Sequence, residues 1–337
     1  MNGRSGLRAL LGLLVSALFL VLLLRQVDLG EVWDALRGVE WPWLVGAAVP
    51  FALGLWLRAL RWRLVLRSSV ELTQGEATSL VVIGYAANNL LPVRAGEVVR
   101  AVLVEQRHGG SRMQVLGTIV VERIFDGLVL ALFLAVMLAT AGGNDVLQLL
   151  ALVMGLGFVV ATAVLAWIAA APETANRWLV RLLGVVPARV RPEARRWLGS
   201  FIAGLGQLRG LRGWSAVLLA TAGSWGLEAV AYWLIGEGFG LGLDPWLYLG
   251  VAGAANLAIA APSTAGGIGP FEFFAREVLV VFGATSAAAA AYALALHVLI
   301  LLPVVIAGLV LLWKNQLGVG VLTHTDRLAA TEMESVS

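Results

Sequence analysis

Stretches without a charged side chain recur along the chain, at residues 9–24, 41–57, 77–93, 127–144, 146–172, 245–271 and 278–313. A helix needs roughly 20 apolar residues to cross about 30 Å of hydrocarbon. Several of these runs reach that length, and the others fall a residue or two short or do something other than cross once. Strands of a membrane barrel would alternate apolar and polar positions in pieces of about ten residues. Blocks such as Leu128 to Leu138 are apolar on every face, so the pattern predicts helices and an all-α, polytopic membrane protein. The first run, Leu10 to Leu24 behind Arg4 and Arg8, has the shape of a secretion signal. Arg25-Gln26-Val27-Asp28 follows it without a small-x-small cleavage site, and a retained signal anchor is expected.

Composition sharpens this picture. Hydrophobic residues make up 60% of the chain and charged residues 13%, about half the charged share of an ordinary soluble domain. The absence of cysteine excludes disulfides, thiolate metal sites and cysteine nucleophiles. The net charge of +3 gives no reason to expect a nucleic-acid partner, but the placement of the arginines is informative, because basic residues are retained on the cytoplasmic side. Arg4 and Arg8 put the N-terminus inside. The connection 25–40 is mainly acidic and suits the outside, and Arg58, Arg61, Arg63 and Arg67 mark the next inside end. These four are expected to be topogenic and lipid-facing, and Trp41, Trp43, Trp62, Trp214, Trp246 and Trp313 to anchor span ends at the interface.

The apolar stretch 77–93 is then followed by a second inside signature, Arg94, Arg100, Arg107 and Arg112, so it should enter and leave on one face. Its centre, Asn88-Asn89-Leu90-Leu91-Pro92-Val93-Arg94-Ala95-Gly96-Glu97, is where a helix should break, since proline removes an N–H and disfavours helix before it. The second half repeats the anomaly over 246–283, with a break across Ala261 to Pro270. The expected architecture is an inverted repeat of span, span, re-entrant broken hairpin and span, with both termini inside. Residues 1–142 form the first repeat (hairpin 77–112) and 143–313 the second (cytoplasmic Arg-rich loop 171–213, hairpin 246–283), with 314–337 a polar cytoplasmic tail. The breaks share letters, Pro92-x-x-Ala95-Gly96 and Pro262-x-x-Ala265-Gly266, each followed by a carboxylate and an arginine. Many transporters build a midplane substrate site from discontinuous helices of this kind.

Ionisable groups at membrane depth are costly and line cavities or pair internally. Four groups stand out. Asn88, Asn89, Arg94, Glu97 and Arg100 surround the first break, where a half-helix opening near Pro92 would aim its N–H groups at an anion; the alternative is a Glu97/Arg100 pair at helical spacing. Glu122, Arg123 and Asp126 lie on the next span, Glu122 about 15 Å along it. They either serve the site and couple it to protons, or lock the helix to the hairpin. Ser263, Thr264, Gly266, Gly267, Gly269, Glu272 and Arg276 surround the second break, where Pro270 suits the start of the outgoing half-helix. Glu228 is a candidate coupling carboxylate or a packing group, and His297 a packed or hydrogen-bonded histidine. No metal site, no cofactor and no ATPase, zinc-protease or serine-hydrolase signature is found, so transport is expected rather than catalysis.

Three ordered motifs, Asn89-Leu90-Leu91-Pro92-Val93-Arg94-Ala95-Gly96-Glu97-Val98-Val99-Arg100, Val121-Glu122-Arg123-Ile124-Phe125-Asp126 and Pro262-Ser263-Thr264-Ala265-Gly266-Gly267-Ile268-Gly269-Pro270-Phe271-Glu272, resemble the flippase-like membrane domain of lysylphosphatidylglycerol synthases and of related stand-alone membrane proteins. The resemblance implies a cell (inner, cytoplasmic) membrane protein that flips a lipid with an anionic, phosphate-bearing headgroup, such as an aminoacyl-phospholipid or a polyprenyl-phosphate-linked glycolipid. The alternatives are an intramembrane transferase acting on a lipid phosphate, and a non-catalytic partner of a cytoplasmic lipid-modifying enzyme.

Overall fold

The computed structural model describes residues 3–25, 27–67, 69–91, 95–183, 211–259 and 265–314, with a few isolated positions between 191 and 202. Among the described residues the chain is entirely helical, with twelve α-helices and no strand, as the charge-free runs predict. Five helices are long and apolar enough to cross a membrane: α3 (Trp41–Leu66), α6 (Arg112–Ala141), α7 (Asp145–Ala170), α9 (Leu211–Gly238) and α12 (Ser286–Lys314). The shortest, 26 residues, extends about 39 Å. On α7 large apolar side chains face outward from Val146 and Leu149 to Val164 and Trp167, which suits lipid and not water.

The remaining helices are shorter. Helix α1 (Gly3–Leu24) bends by 85° into α2 (Leu29–Arg37). The connection 25–40 contains a helix, started by Asp28, whose carboxylate accepts from the Gly30 and Glu31 N–H groups. Helix α8 (Pro172–Leu182) opens the Arg-rich connection, with Pro172 at its first position; most of the stretch between Leu183 and Leu211 lies outside the described residues.

Each stretch expected to form a broken hairpin is a pair of short helices. In the first, α4 (Gln74–Leu90) ends at the break and α5 (Gly96–His108) leaves it, with 17 and 13 residues. In the second, α10 (Leu247–Ala258) and α11 (Pro270–Val281) have 12 residues each, about 18 Å. Such helices are too short to cross hydrocarbon singly, and within each hairpin the two pack against one another. Pro270 opens α11 as expected. The first outgoing helix differs: it starts at Gly96 behind Ala95, not at Pro92, because Asn88 of α4 reaches across and caps the Gly96 N–H at 2.7 Å.

Packing groups the chain into two compact units. Unit 1 comprises Met1–Trp56, Asp126–Phe158 and Ala222–Val304, and unit 2 comprises Leu57–Phe125, Val159–Thr221 and Val305–Ser337. In unit 1 the second hairpin is packed among Leu134, Met137, Tyr232, Tyr248, Phe271 and Tyr292, and Phe19 of α1 meets the Phe273 and Phe274 rings at 5.2 and 5.8 Å. In unit 2 the first hairpin is packed among Trp62, Leu66, Ile83, Val99, Leu103 and Ile119. Its two helices approach at glycines, so that a Cβ on Gly96 would run into the Gly84 carbonyl oxygen and the Asn88 side chain. Gly96→Ala is expected to cost about 1–3 kcal/mol, as overpacking does. Gly75→Ala on the same hairpin meets open space and should be neutral or stabilising by up to about 1 kcal/mol. Thermal unfolding of the two variants in detergent, with shifts of opposite sign, checks the close approach.

Candidate functional site

Unit 2 contains a buried ion-pair network. Glu122 of α6 sits between two arginines: Arg61 Nη2 from α3 lies 3.3 Å from Oε1 and Arg100 Nη2 from α5 lies 2.9 Å from Oε2. Arg61 and Arg100 are 1% and 2% exposed, so the bridge is dry. Arg61 also donates to Thr221 Oγ1 at 2.9 Å, and the Arg100 guanidinium stacks 4.0 Å over the Trp62 ring, whose indole N–H donates to Thr118. Arg100 Nε is buried and makes no hydrogen bond. One carboxylate between two guanidinium groups leaves the trio net positive.

Beside the first break lies a second, more open layer. Glu97, in the first turn of α5, accepts from Asn88 Nδ2 at 3.1 Å and from Arg123 Nη2 at 3.0 Å. The Arg123 side chain is 45% exposed, and Arg123 and the buried Arg58 both approach the Tyr85 ring, at 6.0 and 5.9 Å. Glu97 and Arg100 thus do not pair with each other at helical spacing. Each reaches α6 instead, Glu97 to Arg123 and Arg100 to Glu122. Asn89 is half-buried next to Asn88 and stays outside these bonds. Arg94, the central candidate of the sequence reading, lies outside the described residues.

Unit 1 holds the other candidates. Asp126 accepts from the Trp225 indole at 2.9 Å. Glu228 accepts from Tyr232 Oη at 2.9 Å, and Tyr232 in turn accepts from Asn256, so the carboxylate that stands alone in the sequence belongs to a buried polar chain. Gly266, Gly267 and Gly269 have φ of 77°, 78° and 101°, a region that favours glycine. Glu272 turns back to accept from the Gly269 N–H at 2.7 Å, and its other oxygen lies 2.6 Å from His297 Nδ1. The opposite ring nitrogen of His297 lies 2.9 Å from the Gly266 carbonyl. Arg276 donates to Ser286 and pairs with Glu277, which Asn144 also binds. Ser263 and Thr264 lie outside the described residues.

Two expectations are overturned. Arg58 and Arg61 are buried and not lipid-facing, whereas Arg67 is exposed and Arg63 donates to the Leu72 carbonyl. Trp62 is fully buried and not an interface anchor. Helical period was the signal: Arg58, Arg61, Trp62 and Val65 share one face at i, i+3, i+4 and i+7, while Arg63 and Arg67 fall on the other. Counting arginines for topology treated the cluster as one object and missed that it divides.

Comparison with known proteins places these contacts in context. The profile of a family described as "Lysylphosphatidylglycerol synthase TM region" matches residues 9–308. The chain is also 28% identical over 318 residues to a Haloferax volcanii protein named glycosyltransferase AglD, covering 85% of this chain and 51% of that protein; it spans about half the length of this curated relative. No solved structure matches it.

Removing one partner of a buried ion pair strands the others and costs about 3–5 kcal/mol. Glu122→Gln, which leaves two dry guanidinium groups without their anion, should therefore lower the melting temperature far more than Glu97→Gln, whose partner is nearly half exposed and whose pair is expected to contribute about 1 kcal/mol or less. Equal melting temperatures of the two variants in detergent would contradict the network as described.

Proposed function

The chain belongs to the lysylphosphatidylglycerol synthase transmembrane-region family, and from that premise we propose that this multi-pass membrane protein moves a lipid with a phosphate-bearing headgroup between leaflets. The observation that carries the reading is the buried Arg61–Glu122–Arg100 bridge in unit 2. Each ionised group at membrane depth costs at least about 2.5 kcal/mol on insertion scales. A buried triad also stabilises a fold less well than apolar packing of the same volume. A charged bridge held there at such cost fits a role in handling an anion. In this reading the half-open layer of Asn88 and Arg123 receives the phosphate, which competes with Glu97 for the guanidinium, Arg94 is a further candidate, and Arg61 and Arg100 set the positive field.

In the same reading the glycine break of the second hairpin serves the headgroup from the other leaflet, within an inverted repeat whose two termini are cytoplasmic, in the cell's inner membrane. Transport is favoured over chemistry on the lipid because both Glu122 oxygens are engaged by guanidinium groups and Asp126 accepts from Trp225. Neither carboxylate stands ready as a general base. The relative named for glycosyl transfer supports a companion reading, in which a cytoplasmic lipid-modifying enzyme works beside this membrane region and presents its product for translocation.

The test is exchange of a fluorescent phosphatidylglycerol between leaflets of vesicles that contain the purified protein. Arg123→Ala should slow exchange at least about tenfold, the value of one charge-assisted hydrogen bond, with little change in melting temperature because its ion pair is partly exposed. Arg94→Ala should do the same. Full exchange by both variants would overturn the assignment, and product formed from the lipid in detergent, where leaflets do not exist, would replace transport by transfer.

A further inference from the structure

The contacts of His297 require a proton count that the sequence alone does not suggest. A backbone carbonyl only accepts, so the Gly266 oxygen, 2.9 Å from Nε2, needs a hydrogen on that nitrogen. The 2.6 Å contact between Nδ1 and Glu272 Oε1 needs a second hydrogen, whether it resides on the ring or on the carboxyl group. Glu272 Oε2 is meanwhile occupied as an acceptor by the Gly269 N–H. A neutral imidazole facing an ionised carboxylate has only one N–H for these two acceptors. The arrangement therefore exists with one proton more than neutral His297 and ionised Glu272 hold together.

We propose that Glu272 and His297 form a buried proton-binding site that latches the glycine break of the second hairpin to α12, so that taking up and releasing a proton couples to lipid movement. With the proton present, α12 holds the Gly266 carbonyl through His297, and Glu272 holds the Gly269 N–H. When it leaves, either Nδ1 or Nε2 presents a lone pair to an oxygen, and one of the two ties is lost. The segment released, with Gly266, Gly267 and Gly269 all at positive φ, has the backbone freedom to move. Occupancy is favoured at low pH and falls as pH rises.

The surroundings leave the proton to this pair. On α11, Arg276 is committed to Ser286 and Glu277, and Glu277 to Asn144. On α9, Glu228 accepts from Tyr232, whose ring meets Phe271 edge-on at 6.5 Å; Phe271 in turn lies 4.4 Å from the His297 ring. On α12, Tyr292 donates to the Tyr232 carbonyl, and on α10 the titratable side chain is Tyr248. On α1, which touches the break through the Ser16 backbone beside Gly269, residues 13–24 carry no ionisable group.

The coupling half of the proposal rests on the flippase reading, and the proton site itself is testable without it. The chain has three histidines, so in protein labelled with nitrogen-15 at histidine the resonance missing from His297→Gln belongs to His297. Its chemical shift should change as the shared proton is bound or released when buffer pH is stepped. Glu272→Gln should hold it as a neutral ring bearing hydrogen on Nε2, because the amide N–H replaces the shared proton, its oxygen still accepts from Gly269, and every tie survives. That variant should keep its melting temperature while losing at least about tenfold of phosphatidylglycerol exchange at the pH where wild type is fastest, with a pH profile flat to within about twofold. A His297 resonance that does not titrate, or a Glu272→Gln variant with wild-type rate and pH profile, would overturn the proposal. A titrating His297 in a wild-type protein that exchanges no lipid at any pH would instead overturn the flippase reading and leave the proton site standing.

Discussion

Burying an arginine is costly enough that its partner dictates much else, and in unit 2 that partner is one carboxylate. Glu122 accepts from Arg61 of α3 and Arg100 of α5, and Arg61 reaches on to Thr221 of α9. Four helices far apart in sequence are thereby tied at one point. Apolar contacts in hydrocarbon give little directional preference, since lipid tails compete for them equally. A charge bridge with no water to replace it fixes the register of these helices far more stringently. The surrounding side chains follow: Trp62 gives Arg100 an aromatic face, and Gly84 leaves room for the Arg100 side chain, with which a Cβ there would collide.

The same economy governs the hairpins. A broken helix inside a membrane exposes N–H groups that water cannot satisfy, so protein must satisfy them. In the first hairpin the Asn88 side chain does this for Gly96, and in the second the Glu272 carboxylate does it for Gly269. Each cap comes from the hairpin itself, and each is then secured by the span that follows, through Arg123 or His297. A cap secured from outside the hairpin has two states, engaged or released, which is what a moving element at a transport site needs.

Much of this was legible in the chain. Uninterrupted apolar runs locate the long helices, two consecutive inside signatures locate the first hairpin, and the Gly- and Pro-rich break at 261–270 locates the second. Glu122 and Glu272 could be singled out because a charge inside a span is conspicuous. Their partners could not be read in the same way. Arg61 sat within a cluster that topology alone seemed to account for, and only its phase on the helix, shared with Trp62 and opposite to Arg63, separates it from its neighbours. The Glu97–Arg123 pair, the Asn88 cap and the Asp126–Trp225 bond are choices among several acceptors within reach. Tertiary packing makes those choices, and local spacing, which offered Glu97 to Arg100, does not: each reaches α6 instead.

The two hairpins can be compared contact by contact without superposing anything. Glu97 meets Arg123 across 26 positions of sequence, and Glu272 meets His297 across 25. In both cases the carboxylate stands in the first turn after the break and its partner on the next long helix. The difference is the partner's chemistry. Arginine stays charged at any physiological pH, so the first pair changes only when another anion competes for the guanidinium, as a lipid phosphate would. Histidine can bind or release a proton where arginine cannot, so in the proposed latch the second pair answers to proton supply. Two breaks of similar design thus end on partners of different chemistry, one a fixed charge and the other an exchangeable proton.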